Sequence, residues 1–294
     1  MSSVPRPVPP PVDRAPEPLV PAVLAGLIDD AGLFPPTELA MPDAVLAHRR
    51  HRAGGHAALD AEPGRTGRLG PSGPVRSEQP TDPGPLRIGV IADAELEALP
   101  TALADVAADP RLVLEAVEIP LPAGVAGRDE LTAATRRAVA ALPTGLLGYV
   151  EVPRAEGWEA ALDILSAVGR GAKLRTGGSV PAAFPSVPEL AAFLSACATR
   201  LLPLKLTAGL HHAVRQPDPE TGADRHGFLN VLVAAGAVVV GADPVGPLSE
   251  RDGAVLAERA LALDPGPVRG LLTSVGSCSI AEPVADLRAL GLLA

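Results

Sequence analysis

Aromatic side chains are nearly missing from this sequence: they make up 2% of 294 residues, with one Trp, one Tyr and four Phe. Platforms for single-stranded nucleic acid stack bases on such rings, so that class of function loses its main contact. An excess of positive charge is missing too. The formal net charge is −9, from 34 acidic against 25 basic residues, which disfavours nucleic acid and anionic membrane surfaces. Two cysteines, Cys197 and Cys278, are too few for a disulfide framework or a Cys-rich metal knuckle. No window of 18 apolar residues escapes interruption by Gly, Pro or charge, so no membrane span is expected. The segment Met1–Pro11 carries no apolar stretch of a secretory signal, and a cytoplasmic location is the expectation.

The apolar 47% is mostly Ala, Leu and Val, which suits helices packed on a parallel sheet. Residues 1–18 are Pro-rich and expected to be disordered; residues 19–294 read as one domain with a floppy Pro/Gly-rich insertion at about 60–85. Elsewhere short β-type segments alternate with helical patterns. The strand candidates are Leu27–Asp29, Leu86–Ala92, Leu112–Ile119, Leu146–Val152, Ala172–Arg175, Leu202–Thr207 and Leu271–Val275, and an eighth is placed at Ala237–Gly241. Such alternation predicts βαβ units: a (β/α)8 barrel first, an open doubly wound parallel sheet second. Val117-Glu-Ile-Pro and Val150-Glu-Val-Pro repeat one pattern, a strand closed by a carboxylate and a proline. Strand C-terminal ends face the active site of a parallel barrel, which would gather Glu118, Glu151, Lys173 and Lys205.

Lysine is the rarest charged residue. Of the 25 Lys and Arg only Lys173 and Lys205 are lysines, and they stand in matching contexts, Ala172-Lys-Leu-Arg-Thr-Gly-Gly and Leu204-Lys-Leu-Thr-Ala-Gly. Burial between Ala and Leu favours the neutral amine, and a second ammonium nearby favours it further, as a Schiff-base nucleophile requires. The plainer alternative is a buried ion pair with Glu151 or Glu118. These lysine-bearing strand ends resemble the class I, Schiff-base aldolases of the deoxyribose-phosphate aldolase type. Lys205-Leu-Thr-Ala-Gly follows the short Lys-x-[Ser/Thr]-x-Gly pattern, and Lys173 departs from it by Arg175 at the hydroxyl position. The resemblance implies a TIM barrel, imine formation by Lys173, tuning by Lys205, and no cofactor, since the iminium is the electron sink.

Around the lysines, Arg175, Thr176, Gly177, Gly178 and Thr207 are candidates for holding an anion through guanidinium and backbone N–H groups. The alternative is a turn whose glycines supply positive φ. Ser277 and Ser279, in Thr273-Ser-Val-Gly-Ser-Cys-Ser, follow the last strand, where barrels commonly bind phosphate; the alternative for Ser279 is a helix cap. His211 is the candidate proton carrier beside Glu151, and His212 a substrate contact. His211, His212 and His226 with Asp29 or Asp30 form an alternative metal set, without the spacing of a metal motif. Cys278 is a minor nucleophile candidate, Asn230 opens a helix, and His48, His51 and His56 read as surface residues among arginines.

The expectation is therefore a carbon–carbon lyase acting on a small anionic carbonyl compound, with self-association left open. A metal-dependent hydrolase or lyase, and a non-catalytic barrel that binds an anionic metabolite or a protein, are the alternatives.

Overall fold

The computed structural model describes residues 20–34, 37, 39–53, 85–92, 95–125, 127–219 and 221–293. The Pro-rich start at 1–18 and nearly all of the 60–85 stretch lie outside the described residues. The chain is an α/β structure. Its strands are β1 (Ile28–Asp30), β2 (Leu86–Ile91), β3 (Leu112–Pro120), β4 (Leu147–Glu151), β5 (Gly171–Arg175), β6 (Leu204–Thr207) and β9 (Leu272–Ser277), all parallel. Helices α1 (Met41–Ala53), α2 (Leu99–Ala108), α3 (Arg128–Ala141), α4 (Trp158–Ala167), α5 (Val187–Thr199) and α6 (Phe228–Val239) alternate with them. After α6 come α7 (Val245–Ser249), α8 (Gly253–Leu261) and α9 (Pro265–Leu271), and α10 (Ala281–Ala289) follows β9.

The seven strands are ordered β1-β9-β6-β5-β4-β3-β2, so five successive connections step to the adjoining strand and β1 closes the far edge beside β9. Strand side chains alternate between faces. One face carries Ile88, Val90, Val117, Ile119, Val150, Ala172, Leu174, Leu204, Leu206 and Val275 into the hydrophobic core. The other face carries Glu118, Tyr149, Glu151, Lys173, Arg175, Lys205, Thr207 and Ser274, aligned by register.

That polar face is concave. Tyr149 on β4 is fully buried, and its hydroxyl donates to Thr273 Oγ1 at 2.7 Å on β9, three strands away. In a flat sheet three strands span about 14 Å with side chains standing upright, too far for a Tyr and a Thr to meet. The ring crosses directly above Gly171, where a Cβ would lie 2.4 Å from Tyr149 Cδ1. Glycine at the start of β5 is thus required by packing, not by an unusual backbone angle.

Several local expectations are corrected. Ala237–Gly241 is no strand: its first residues end α6, and Gly241 turns the chain at φ +74°. The helix itself matches the helical pattern over 227–238; every residue from Phe228 to Gly236 is buried, and the apolar run continuing to Val240 gives no period by which to tell helix from strand. The polar stretch after β6 pairs Gln216–Pro217 (β7) with Asp224–Arg225 (β8) in an antiparallel hairpin. His48 is fully buried instead of exposed: α1 turns Ala44, Val45 and His48 inward, and His48 Nδ1 lies 3.2 Å from Asp30 Oδ2. The stretch 181–199, a 3-10 turn and α5, is long and apolar enough to cross a membrane by length and composition. In the structure α5 sends Leu190, Phe193, Leu194 and Cys197 into the core, and a Ser186–Glu189 capping box starts it.

Candidate functional site

The concave face is lined by charges of alternating sign. Ser274 Oγ donates to Asp29 Oδ2 at 2.7 Å, and Lys205 Nζ reaches the same oxygen at 2.5 Å. Lys205 also donates to Glu118 Oε1 at 2.6 Å. Glu118 Oε2 is 2.8 Å from Lys173 Nζ, which lies 3.0 Å from Glu151 Oε2, and Glu151 Oε1 meets Arg175 Nε at 3.4 Å. Six charged side chains from β1, β3, β4, β5 and β6 therefore form one continuous chain. Lys173 and Lys205 are direct register partners on β5 and β6, which explains their matching contexts.

The chain opens to solvent only at its Glu151–Arg175 end. The side chains of Asp29, Lys205, Glu118 and Lys173 are nearly sealed from solvent, Glu151 is 18% exposed, and Arg175 is 57% exposed. The two lysines are equally sealed; they differ in their outer partners, the partly exposed Glu151 for Lys173 and the buried Asp29 for Lys205. For Glu118, burial pushes the carboxyl up, but Lys173 and Lys205 overcome it and hold the group down at about 2. The network is the anticipated ion pair, extended by Asp29 and Ser274. Neither was tied to the lysines from sequence, because that contact depends on β1 and β6 both flanking β9.

At the mouth, Thr207 stands in register between Arg175 and Gly276. Its Oγ1 is buried and has no hydrogen-bond partner among the described residues. The neighbouring candidates are engaged elsewhere. Thr176 Oγ1 bonds Ala208 O at 2.6 Å and Thr207 O at 3.2 Å, locking the loop after β5 to the end of β6. Neither Gly177 nor Gly178 has positive φ. They permit close approach: a Cβ on Gly177 would come within 2.9 Å of Gly209 Cα, and one on Gly178 within 2.8 Å of Ala183 Cβ. Ser277 Oγ donates to Ser279 O at 2.6 Å, and Ser279 Oγ accepts from Glu282 N at 3.4 Å at the start of α10. Arg175 and Thr207 are left as side-chain donors for an anion.

The histidines do not converge. His211 Nδ1 lies 3.3 Å from Ser277 Oγ, 3.5 Å from Cys278 Sγ and 3.5 Å from Glu282 Oε2. Burial lowers its pKa, opposed by Glu282 and aided by Arg225 and His212. His212 turns to α10, with Nδ1 3.1 Å from Asp286 Oδ2. His226 Nε2 is 2.7 Å from Pro185 O and must donate to it, leaving Nδ1 to accept from Arg215 Nη1 at 3.1 Å. Burial pushes His226 down to about 4, so it stays neutral. Asn230 accepts from Arg215 N and donates to Pro247 O and Glu250 O, which makes it a brace. Among the described residues no group of three His, Cys, Asp or Glu is placed to hold a metal ion, and Asp30 is taken up by His48 and Gly32 N.

The hairpin beside His211 is tied by ion pairs. Asp218, buried, meets Arg225 and accepts from Thr221, while Asp224 meets Arg215 at 2.9 Å and Arg251 at 2.8 Å. Comparison with known proteins finds no family model, no curated protein and no solved structure that matches the chain.

Proposed function

We propose that the concave face is the active site of a carbon–carbon lyase that handles a small anionic carbonyl compound through a lysine Schiff base. One observation carries this: Lys173 and Lys205 stand side by side and share the buried carboxylate of Glu118. Lys173, whose second carboxylate is the partly exposed Glu151, is the imine former in this reading. Its proton goes to Glu151, 3.0 Å away, and the amine then adds to the carbonyl carbon. Loss of water gives the iminium. The β-hydroxyl then loses its proton, and the bond between the α and β carbons breaks with its pair passing to the iminium. Protonation and hydrolysis of the resulting enamine release the second product and free Lys173. Lys205 keeps its charge beside Asp29, and Arg175 with Thr207 binds the anionic end.

The strand order supports a barrel-type architecture for this site. Strands β2, β3, β4, β5, β6 and β9 advance without reversal and β1 lies at the far edge beside β9, an order that a (β/α) barrel interrupted between β1 and β2 would have. A second reading, a scaffold that binds an anionic metabolite without turnover, draws on the saturation of both lysines by carboxylates.

Turnover assays separate the two. A panel of small carboxylated and phosphorylated hydroxy-carbonyl compounds is screened for release of a smaller aldehyde or ketone. Cleavage that disappears in Lys173→Arg and needs more substrate in Arg175→Ala supports the lyase reading. Cleavage retained in a folded Lys173→Arg protein refutes it, and thermal stabilisation by a panel member without any cleavage favours the scaffold.

A further inference from the structure

Glu151 joins Lys173 to Arg175 through one carboxylate. Its Oε2 lies 3.0 Å from Lys173 Nζ and its Oε1 accepts from Arg175 Nε at 3.4 Å, so a single carboxylate spans the gap between ammonium and guanidinium. Arg175 is 57% exposed and free to exchange that carboxylate for one from solution. Its register partner on β6 is Thr207, whose Oγ1 is buried and has no hydrogen-bond partner among the described residues. The hydroxyl is a donor still to be used, on the strand next to the guanidinium.

We propose, resting on the Schiff-base reading, that the substrate is a 4-hydroxy-2-oxo acid whose carboxylate takes the place of Glu151 on Arg175 and accepts from the Thr207 hydroxyl. In the imine of a 2-oxo acid the carboxylate sits on the carbon bonded to nitrogen, so it lies beside Lys173 Nζ as the Glu151 carboxylate does. A phosphate ester is carried at least one carbon and one oxygen further out, too long for that gap while Arg175 stays in place. Charge favours the same choice. Asp29, Glu118 and Glu151 already balance Lys173, Lys205 and Arg175. An incoming carboxylate adds one uncompensated negative charge, whereas a phosphate group adds about 1.5–2. Glu151, released from Arg175, returns the Lys173 proton in the loss of water and then takes the proton of the β-hydroxyl. The bond between the α and β carbons breaks, its pair passes to the iminium, and the β carbon leaves as an aldehyde. Glu151 gives its proton to the α carbon of the enamine, and water releases a shorter 2-oxo acid from Lys173. The water taken up equals the water lost, and nothing is oxidised.

Borohydride trapping on the full native chain, read by peptide mapping of Lys173, tests this with three probes: pyruvate, its neutral amide pyruvamide, and dihydroxyacetone phosphate. Pyruvate should reach half-maximal labelling at a concentration at least about tenfold below either of the others. Arg175→Ala, at an exposed position, should remove about tenfold of the preference over pyruvamide, and Thr207→Val severalfold. Pyruvate with no preference over pyruvamide, or a preference kept whole in Arg175→Ala or Thr207→Val, overturns the proposal. Labelling by the phosphate ester at a lower concentration than pyruvate overturns it as well. In each of these cases the adduct on Lys173 leaves the Schiff-base reading standing. No adduct on Lys173 from any probe removes that reading, and the proposal with it.

Discussion

Replacing Glu118 with Gln probes the centre of the charge chain. The carboxylate is 2% exposed and touches both lysines, and these hold its pKa down from 4.5 to about 2. That displacement corresponds to about 3 kcal/mol of folding free energy at neutral pH. Removing one member of a buried ion pair costs about 3–5 kcal/mol by experience with other proteins, the same order. The amide leaves Lys173 with Glu151 and Lys205 with Asp29, so the loss falls at the lower end of that range. Urea unfolding at pH 7, followed by circular dichroism, should show about 3 kcal/mol lower stability with an unchanged slope. The pH dependence has a definite sign. The unfolded carboxyl binds a proton near 4.5 and the folded one near 2, so the stabilisation is complete above pH 4.5 and is lost as pH falls toward 2. The gap between wild type and variant should close over that window. A difference below about 1 kcal/mol at pH 7, or a gap still open at pH 2, would refute the idea that Glu118 is held ionised by the two lysines.

Other perturbations follow from the same geometry. His226 is held near 4 against 6.5 in the unfolded chain, so it contributes stability above pH 6.5 that is lost as pH falls toward 4, at most about 3 kcal/mol. A His226→Gln variant should unfold with a flatter pH dependence between 4 and 6.5 than wild type. Gly171→Ala drives a methyl group into the Tyr149 ring and should cost about 1–3 kcal/mol, largely recovered in a Tyr149→Leu background, as a double-mutant denaturation cycle will show. Asn230→Leu strands Arg215 N and two carbonyls in the interior, and thermal melts should show a loss of about 2–4 kcal/mol.

Much of the sheet was legible because parallel strands read as short apolar runs ended by Gly or Pro. The 86–91, 112–120, 147–151 and 171–175 strands fall within two residues of their expected limits. The meeting of Glu118, Glu151, Lys173 and Lys205 was legible too, from the repeated strand-end pattern. What stayed hidden depends on contacts across the chain. Asp29 reaches Lys205 because β1 lies beside β9, a pairing that no local pattern announces. His48 sits among arginines in sequence, yet it points inward to cap Asp30, since α1 is too polar for its buried stripe to stand out. Cys278 and His211 are 67 residues apart and meet only where the end of β9 approaches the loop after β6. The turn after α5 and the end of β6 hold Leu201 and Ala208 at φ +52° and +67°, conformations that the residue types do not suggest.

The central claim, that Lys173 forms an imine, is tested most directly by trapping it. The intact protein is incubated with small aldehydes, ketones and keto acids, treated with borohydride, and mapped by peptide mass spectrometry. With only two lysines and the N-terminus available as amines, the location is unambiguous. The account predicts a reduced adduct on Lys173, absent in Lys173→Arg. Adducts confined to the N-terminus, or none from any compound in the panel, would contradict it.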